Sequence, residues 1–365
     1  VNAQRREVFI QTGCRTPGRN PYYRDLMKVN IDTGDKLILA SSNHDYFVGA
    51  FTDMQGTSYS GISRLDPQKR GISLTCNYIV VTRSRVDALP ESFVVDDTGN
   101  KVMDLGIAEL VGAPDGWSMP EPVSMLAADG KTEIYGAIYR PSDFSPECSY
   151  PVIIEQFSTP DFPWASVGSF NNSIFDGQNF FTPAALAELG FIVTAINGRG
   201  TPHRSKAFHD FGCGAFMDGG GMVDHVAGIK QLAERYPSMN LDNVGLMSTD
   251  APGNGAIFGL LKYPDFYKVG VAYSPWDPRL VKQGEVYCGI DDEAAQLQFQ
   301  PVWKDAVHNL QGKLLLITGM LDQFFHCSMT FQCVDAFVKA NKDVDLLIQP
   351  NGCHGPRVIN AHRRA

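Results

Sequence analysis

The sequence predicts an α/β protein with a mostly parallel β-sheet covered by helices on both faces, preceded by a region of short β-strands. Two patterns lead to this fold class. From about residue 134 onward, apolar runs of strand length alternate with helical stretches, which is typical of parallel sheets. Before about residue 120, the chain has short β-type runs separated by turn residues. A chain of 365 residues is long enough for two domains.

The second region contains apolar, β-branched runs with the length of buried strands, at residues 151–156, 191–197, 243–247, 269–272, 313–318 and 345–349. Helical stretches lie between some of them, at residues 222–236, 254–261 and 329–340. Parallel strands have their carboxyl ends at one edge of the sheet, and functional side chains concentrate there. We therefore expect the site in the loops that follow residues 247, 318 and 349.

The first region has strand-length runs at residues 7–11, 25–31, 36–39, 46–51, 79–82 and 92–95. Turn sequences such as Asp32-Thr33-Gly34-Asp35 lie between them. Short strands with polar turns are typical of sheet meanders such as propeller blades. Two blades cannot close a ring, so we expect residues 1–120 to be the last part of an incomplete β-propeller.

Composition and charge exclude several classes of function. Apolar residues make up 44% of the chain and charged residues 19%, as in globular proteins. The net charge of −9 argues against nucleic-acid binding, because a phosphate backbone needs a basic surface. No apolar run approaches the length of a membrane span. The cysteines and histidines have no metal-ligand spacing, so we expect no metal and no cofactor.

A strand-to-helix corner at residues 244–255 carries the main chemical signal. An apolar strand meets a short turn of small residues and then a helix rich in Gly and Ala, as in a nucleophile elbow. Asp250 lies at the tip of this turn. Two later strands are followed by Asp322 and His354. The order of tip residue, acid and histidine is that of the α/β-hydrolases, and Asp250, Asp322 and His354 are the predicted catalytic residues.

The chain also contains segments with the pattern of a known peptidase family. They are Pro120-Glu121-Pro122, residues 128–136, Tyr139-Arg140-Pro141, Asn197-Gly198-Arg199-Gly200, residues 263–268, residues 315–322 and residues 351–355. Together they resemble the prolyl oligopeptidase / dipeptidyl peptidase IV family, in its bacterial dipeptidyl-peptidase branch. The resemblance implies a C-terminal part of a propeller in residues 1–120 and an α/β-hydrolase, peptidase-like domain in residues 121–365.

The same resemblance implies that the earlier blades, and the last helix of the hydrolase domain, are missing from this chain. It leaves a homodimer, or a heterodimer with a related subunit, open as the assembly. A peptide or a small molecule is the expected ligand, and no nucleic acid is expected. The compartment stays undetermined, with a periplasmic or secreted location favoured over a cytoplasmic one.

The sequence departs from the family pattern at its chemical centre. Asp250 stands where the family has its nucleophilic serine, and Phe157 stands where it has a tyrosine that donates to the oxyanion. An asparagine that resembling enzymes use to hold a substrate carbonyl is replaced by Phe324. Tyr287 corresponds to a tyrosine of the specificity pocket. The positions expected to face a substrate are Phe157, Ser158, Ala251, Tyr287 and Phe324.

These departures leave three hypotheses. The chain is a pseudo-peptidase that binds a ligand or partner without proteolysis, an active dipeptidyl aminopeptidase or esterase, or a hydrolase with an aspartate nucleophile. The third resembles dehalogenases and epoxide hydrolases, in which a carboxylate attacks an alkyl carbon. Ser248 lies two residues before the tip, where a packing role is favoured over a nucleophilic one. Arg199 is expected to hold the loop after its strand by ion pairing.

Overall fold

The computed structural model describes residues 2–13, 16–48, 71–156, 178–212, 221–249, 253–276 and 303–353. The chain divides into two units. The first unit comprises Val1–Pro122 with Ser166–Ala185, and the second comprises Val123–Ala165 with Leu186–Ala365.

The described part of the first unit contains two antiparallel sheets. One has the strand order β1 (Glu7–Thr12), β2 (Asp25–Asn30), β3 (Lys36–Ala40). The other has the order β4 (Asp45–Val48), β5 (Tyr78–Arg85), β6 (Ala88–Asp96), β7 (Lys101–Ile107). Buried side chains of both sheets, among them Leu26, Tyr46, Ile79 and Phe93, form one apolar cluster.

The strands predicted in this region are present, with ends that differ by a few residues. The predicted run at residues 46–51 is described only as far as Val48. β7 was not predicted, because all of its residues are exposed and no alternation of apolar and polar positions marks it in the sequence.

An eight-stranded sheet is the framework of the second unit. Its order is β15 (Asp345–Gln349), β14 (Lys313–Gly319), β13 (Tyr267–Tyr273), β12 (Met239–Thr249), β10 (Tyr150–Gln156), β11 (Ile192–Asn197), β9 (Glu133–Tyr139), β8 (Glu121–Leu126). The strands from β10 to β15 pair in parallel, whereas β9 runs antiparallel to β11. The predicted mostly parallel sheet is confirmed. The sequence did not predict β8 and β9 as strands.

Among the described residues, the helices are α1 (Gln178–Ala187), α2 (Lys206–Asp210), α3 (Met222–Arg235), α4 (Gly255–Lys262), α5 (Trp303–Ala306) and α6 (Cys327–Lys339), with a 3₁₀ turn at Val307–Asn309. The three predicted helices correspond to α3, α4 and α6 and are confirmed within one or two residues at each end. The sequence did not predict α1, which has Pro183 inside it and no acidic residue in its first turn.

The main core lies against one face of this sheet. Alternate side chains of the strands, such as Ile154, Leu246 and Leu316, are buried in a cluster that also holds side chains of α3, α4 and α6. α4 lies very close to the strands, because a Cβ atom at Gly259 would come within 2.5 Å of Leu246 Cδ2. The middle of α4 therefore packs directly on β12.

A buried ion pair holds the loop that follows β11. Asp224 of α3 has no exposed surface, and its carboxylate accepts hydrogen bonds from Arg199 Nε, Nη2 and the Arg199 backbone N–H. It also accepts one from the Ala128 N–H at 3.0 Å. Arg199 Nη1 donates to Asp129, and the guanidinium carbon lies 4.0 Å from the centre of the Phe211 ring. The ion-pairing role predicted for Arg199 is confirmed.

Candidate active site

The strand-to-helix corner is held by one serine side chain. β12 ends at Thr249 and α4 begins at Gly255. Between these elements, Ser248 Oγ accepts a hydrogen bond from the Ala256 N–H at 2.8 Å and donates one to the Gly253 carbonyl at 3.1 Å. These bonds join the end of the strand to the first turn of the helix.

These bonds also decide the role of Ser248. Its side chain is 1% exposed, its proton is used by the Gly253 carbonyl, and its oxygen accepts from a helix N–H that has no acceptor within the helix. A hydroxyl with both functions occupied inside the core cannot reach a ligand. The packing role predicted for Ser248 is confirmed.

Replacing Ser248 with alanine is expected to lower the free energy of unfolding by about 1–3 kcal/mol, because the Ala256 N–H and the Gly253 carbonyl lose a buried partner. Urea unfolding of the intact chain measures this loss. A change below a few tenths of a kcal/mol would contradict the structural role given to this hydroxyl.

Asp322 lies in the loop that follows β14, and its carboxylate is held from two directions. The residue is 2% exposed. One oxygen, Oδ1, accepts from the backbone N–H groups of Phe324 at 2.9 Å and Phe325 at 2.8 Å. The other, Oδ2, accepts from Ser274 Oγ at 3.1 Å. A buried carboxylate with these donors is fixed in orientation, as an acid that orients a base must be.

The loop with Asp322 is joined to the loop that leads to residue 354. The Met320 N–H donates to the Gln349 carbonyl at 3.0 Å, and the Leu321 N–H donates to the Gly352 carbonyl at 2.8 Å. The loops touch so closely that a Cβ atom at Gly319 would lie 2.5 Å from Gly352 O. The two loops in which the sequence placed the acid and the base are therefore neighbours at the carboxyl edge of the sheet.

A further contact links the elbow to the loop that follows β14 and carries Asp322, here called the acid loop. The Asn254 side chain donates to the Trp276 carbonyl at 2.7 Å and accepts from the Trp276 N–H at 3.3 Å. The Trp276 ring stacks on Phe325, with ring centres 5.1 Å apart. The loops after β12, β13 and β14 thus form one hydrogen-bonded and stacked assembly.

Three apolar side chains of the acid loop are exposed. Met320 is 41% exposed, Leu321 57% and Phe324 45%. Phe324, which was predicted to face a substrate, therefore points away from the core while its backbone N–H binds Asp322. These three side chains form an apolar rim next to the buried acid.

Several predicted site residues lie outside the described part of the chain. They are Asp250, His354, Phe157, Ser158, Ala251 and Tyr287. Of the predicted site residues, Asp322 and Phe324 are described, and both lie in the loop after β14.

Sequence reasoning missed several neighbours of the site, among them Ser274, Asn254 and Glu155. Glu155 is the next-to-last residue of β10, on the sheet face opposite to Val152 and Ile154, and its Oε2 atom is buried without a hydrogen-bond partner among the described residues. Burial raises the pKa of Glu155 to about 8. A single carboxylate in the apolar run Val152-Ile153-Ile154 was the signal that could have identified it.

Burial also acts on Tyr273, the last residue of β13. Its hydroxyl donates to Gln349 Oε1 at 3.0 Å. Burial, with a contribution from the nearby negative charge of Asp322, raises the pKa of Tyr273 to about 12. The Tyr273 hydroxyl is therefore neutral at physiological pH and serves as a hydrogen-bond donor between β13 and β15.

The family model described as the prolyl oligopeptidase family matches residues 178–365, which is more than half of the chain and includes the elbow, the acid loop and the loop that leads to residue 354. The chain belongs to the prolyl oligopeptidase family. The resemblance inferred from the sequence motifs is thereby confirmed.

Relatives within the prolyl oligopeptidase family extend the comparison. The chain is 30% identical over 261 residues to human dipeptidyl peptidase 8 and 29% identical to the mouse protein of the same name. These matches cover 69% of this chain and 28% of each relative, so the chain spans under a third of their length. A protein from Bacteroides ovatus assigned as a dipeptidyl aminopeptidase IV has the same fold, with a TM-score of 0.79 and 22% identity. That comparison covers 100% of this chain and 48% of the other.

The described part of the chain lacks two other features. In this part of the chain, no group of three or more His, Cys, Asp or Glu side chains could hold a metal ion. None of the described helices has the length and hydropathy needed to cross a membrane.

Proposed function

We propose that this member of the prolyl oligopeptidase family binds a peptide-like ligand or a partner at a peptidase-type site without cleaving it. Asp250 takes the position of the nucleophilic serine in this proposal, with His354 and Asp322 beside it. The observation that carries the proposal is the state of Ser248. This serine, two residues before the tip of the elbow, is 1% exposed, and its hydrogen bonds to Ala256 and Gly253 commit it to the fold.

Ser274 supports the same conclusion. It is fully buried and donates its proton to Asp322, so it is not available to attack a ligand either. A carboxylate cannot replace serine in peptide hydrolysis, because its attack on an amide would form an anhydride while expelling a poor amine leaving group. Phe157 lacks the hydroxyl that the family's tyrosine donates to the oxyanion, and loss of such a donor lowers the rate of hydrolysis by roughly 10²–10³.

A serine-reactive fluorophosphonate probe, together with dipeptidyl-Pro and dipeptidyl-Ala amide substrates, tests the proposal. We expect neither labelling nor hydrolysis by the folded wild-type chain. The double variant Asp250→Ser/Phe157→Tyr restores the two missing hydroxyl groups, and it should accept the probe. It also serves as the control that the probe can reach the site.

Two outcomes would contradict this proposal. One is a labelled serine in the wild-type chain, located by mass spectrometry. The other is amide hydrolysis that the His354→Ala variant loses, because a contaminating enzyme would be unaffected by that change. Ligand binding without turnover, measured by calorimetry with the same dipeptidyl amides, would support the binding function directly.

One observation favours a second candidate, a hydrolase with an aspartate nucleophile. The acid position is fully built, since Asp322 is oriented by Ser274 and by two backbone N–H groups. Such an acid suits a working His354 that activates water against an ester formed on Asp250. Turnover of haloalkane or epoxide substrates in heavy-oxygen water would then place the label in Asp250. No label across a broad panel of such substrates would exclude this candidate.

The domain organisation is part of the same proposal. We place the C-terminal part of a β-propeller in residues 1–120 and the peptidase-like domain in residues 121–365. The relatives named as dipeptidyl peptidases make a peptide the favoured ligand. A homodimer, or a heterodimer with a related subunit, is the proposed assembly.

A further inference from the structure

Ser274 occupies an unusual place at the end of β13. Its backbone φ of +50° lies in the left-handed region, which residues other than glycine rarely adopt. Its side chain is fully buried, and its backbone N–H donates to the Ile317 carbonyl of β14 at 2.8 Å. A strained, buried residue beside a candidate site needs a reason, because strain of this kind persists only where the surroundings hold it.

The contacts of its hydroxyl supply that reason. Ser274 Oγ donates to Asp322 Oδ2 at 3.1 Å, whereas Oδ1 of the same carboxylate is held by the N–H groups of Phe324 and Phe325. The backbone of the acid loop thus binds Oδ1, and the loop after β13 binds Oδ2 through Ser274. The Ser274 hydroxyl binds Oδ2 while the backbone binds Oδ1, so its hydrogen bond resists rotation of the carboxylate plane.

The direction in which the acid is held also matters. The loop that leads to residue 354 is joined to the acid loop through Met320 and Leu321, so it lies on the same side of the sheet edge. An acid that orients a histidine must present one oxygen at a fixed angle.

We propose that Ser274 is the positioning residue of this site: it fixes the carboxylate of Asp322 in the plane needed to pair with the imidazole of His354. This inference rests on the proposed role of Asp322 and His354 as the acid and base of the site. It assigns no contact between Ser274 and a ligand, and it is independent of whether Asp250 is a nucleophile.

The first measurement is a proton spectrum of the intact chain. An imidazole N–H that pairs with a buried carboxylate gives a resonance far downfield of the amide region. We expect this resonance in the wild type and its loss in Asp322→Asn. In Ser274→Ala the resonance should disappear or move upfield. If it is present in the wild type, sensitive to Asp322→Asn and unchanged in Ser274→Ala, the proposal for Ser274 is wrong.

The second measurement is hydrogen exchange of the Phe324 and Phe325 amides in the same proteins. These amides should exchange at least tenfold faster in Ser274→Ala, because a carboxylate that turns no longer accepts from both. Ser84→Ala is the matched control, since Ser84 is also buried and its hydroxyl donates to the Ala88 carbonyl at 2.9 Å, within the first unit. That control should leave both amides unchanged, and equal exchange in Ser274→Ala and the wild type would overturn the proposal.

A further variant separates positioning from simple loss of folding. Ser274→Gly removes the hydroxyl and also relieves the positive φ, so it should be folded and at least as stable as Ser274→Ala. Fast exchange in this variant as well assigns the effect to the hydroxyl. A wild-type spectrum without the downfield resonance would count against the Asp322–His354 pair, and the exchange of Phe324 and Phe325 would still decide whether Ser274 holds the carboxylate.

Discussion

Replacing Asp224 with alanine is expected to destabilise the chain by about 3–5 kcal/mol, since it removes the buried partner of the Arg199 guanidinium and leaves only the more exposed Asp129. The Arg199 side chain is 14% exposed and Asp224 is 0% exposed, so water cannot replace the lost carboxylate. The backbone N–H groups of Arg199 and Ala128 lose their acceptor as well. Equilibrium urea unfolding of the intact chain measures the effect.

Asp335→Ala is the matched control for this prediction. Asp335 pairs with Lys339 one turn further along α6, but the two side chains are 57% and 75% exposed. Solvent screening reduces such a pair to about 0.3–0.5 kcal/mol. If Asp224→Ala lowered the free energy of unfolding no more than Asp335→Ala does, the Arg199–Asp224 ion pair would not contribute to stability as we infer.

Replacing Glu155 with glutamine is expected to remove a loss of stability that the wild type suffers as the pH rises. Below pH 4.5, the ordinary pKa of the side chain, this carboxyl is protonated in both the folded and the unfolded chain. Between pH 4.5 and about 8 the unfolded chain releases the proton and the folded chain keeps it. The free energy of unfolding therefore falls across this window and levels off above it.

The size of this effect follows from the same interval. Each pH unit in which only the unfolded chain is ionised lowers the free energy of unfolding by about 1.4 kcal/mol. The stability advantage of Glu155→Gln over the wild type should therefore grow by several kcal/mol between pH 5 and pH 8. Urea unfolding at a series of pH values measures it. Glu234→Gln, at an exposed position of α3, is the control and should show no such growth.

An advantage of Glu155→Gln that stayed constant with pH would show that Glu155 is ionised in the folded chain. A hydrogen-bond partner for its carboxylate would then have to exist. Glu155→Val, which suits a strand of this sheet and has no polar group, should match the glutamine variant in its pH dependence.

Most of the second unit could be predicted from the sequence because its strands are buried and apolar. The runs 313–318 and 345–349 differ from β14 and β15 by at most one residue at each end. The edge strand β7 and the strands β8 and β9 were missed. In β7 every residue is exposed, so burial left no pattern in the sequence to read.

The candidate site also contains residues that the sequence predicted and residues that it did not. Asp322 was found because a polar residue directly after a buried strand lies at the functional edge of a parallel sheet. Ser274 and Asn254 were not found, because their partners are distant in the chain. Asp322 lies 48 residues from Ser274, and Trp276 lies 22 residues from Asn254. Nothing in the residues next to Ser274 or Asn254 indicates these partners.

The amino-acid sequence by itself determined the fold class and the family, because both follow from local patterns of residue types. The tertiary structure decided which hydroxyl groups are committed to the fold and which side chains hold the acid. Hydrogen bonds between loops depend on how the strands are ordered in the sheet, and that order brings together residues that are far apart in the chain. For the same reason, the burial that raises the pKa of Glu155 exists only once the neighbouring strands are in place.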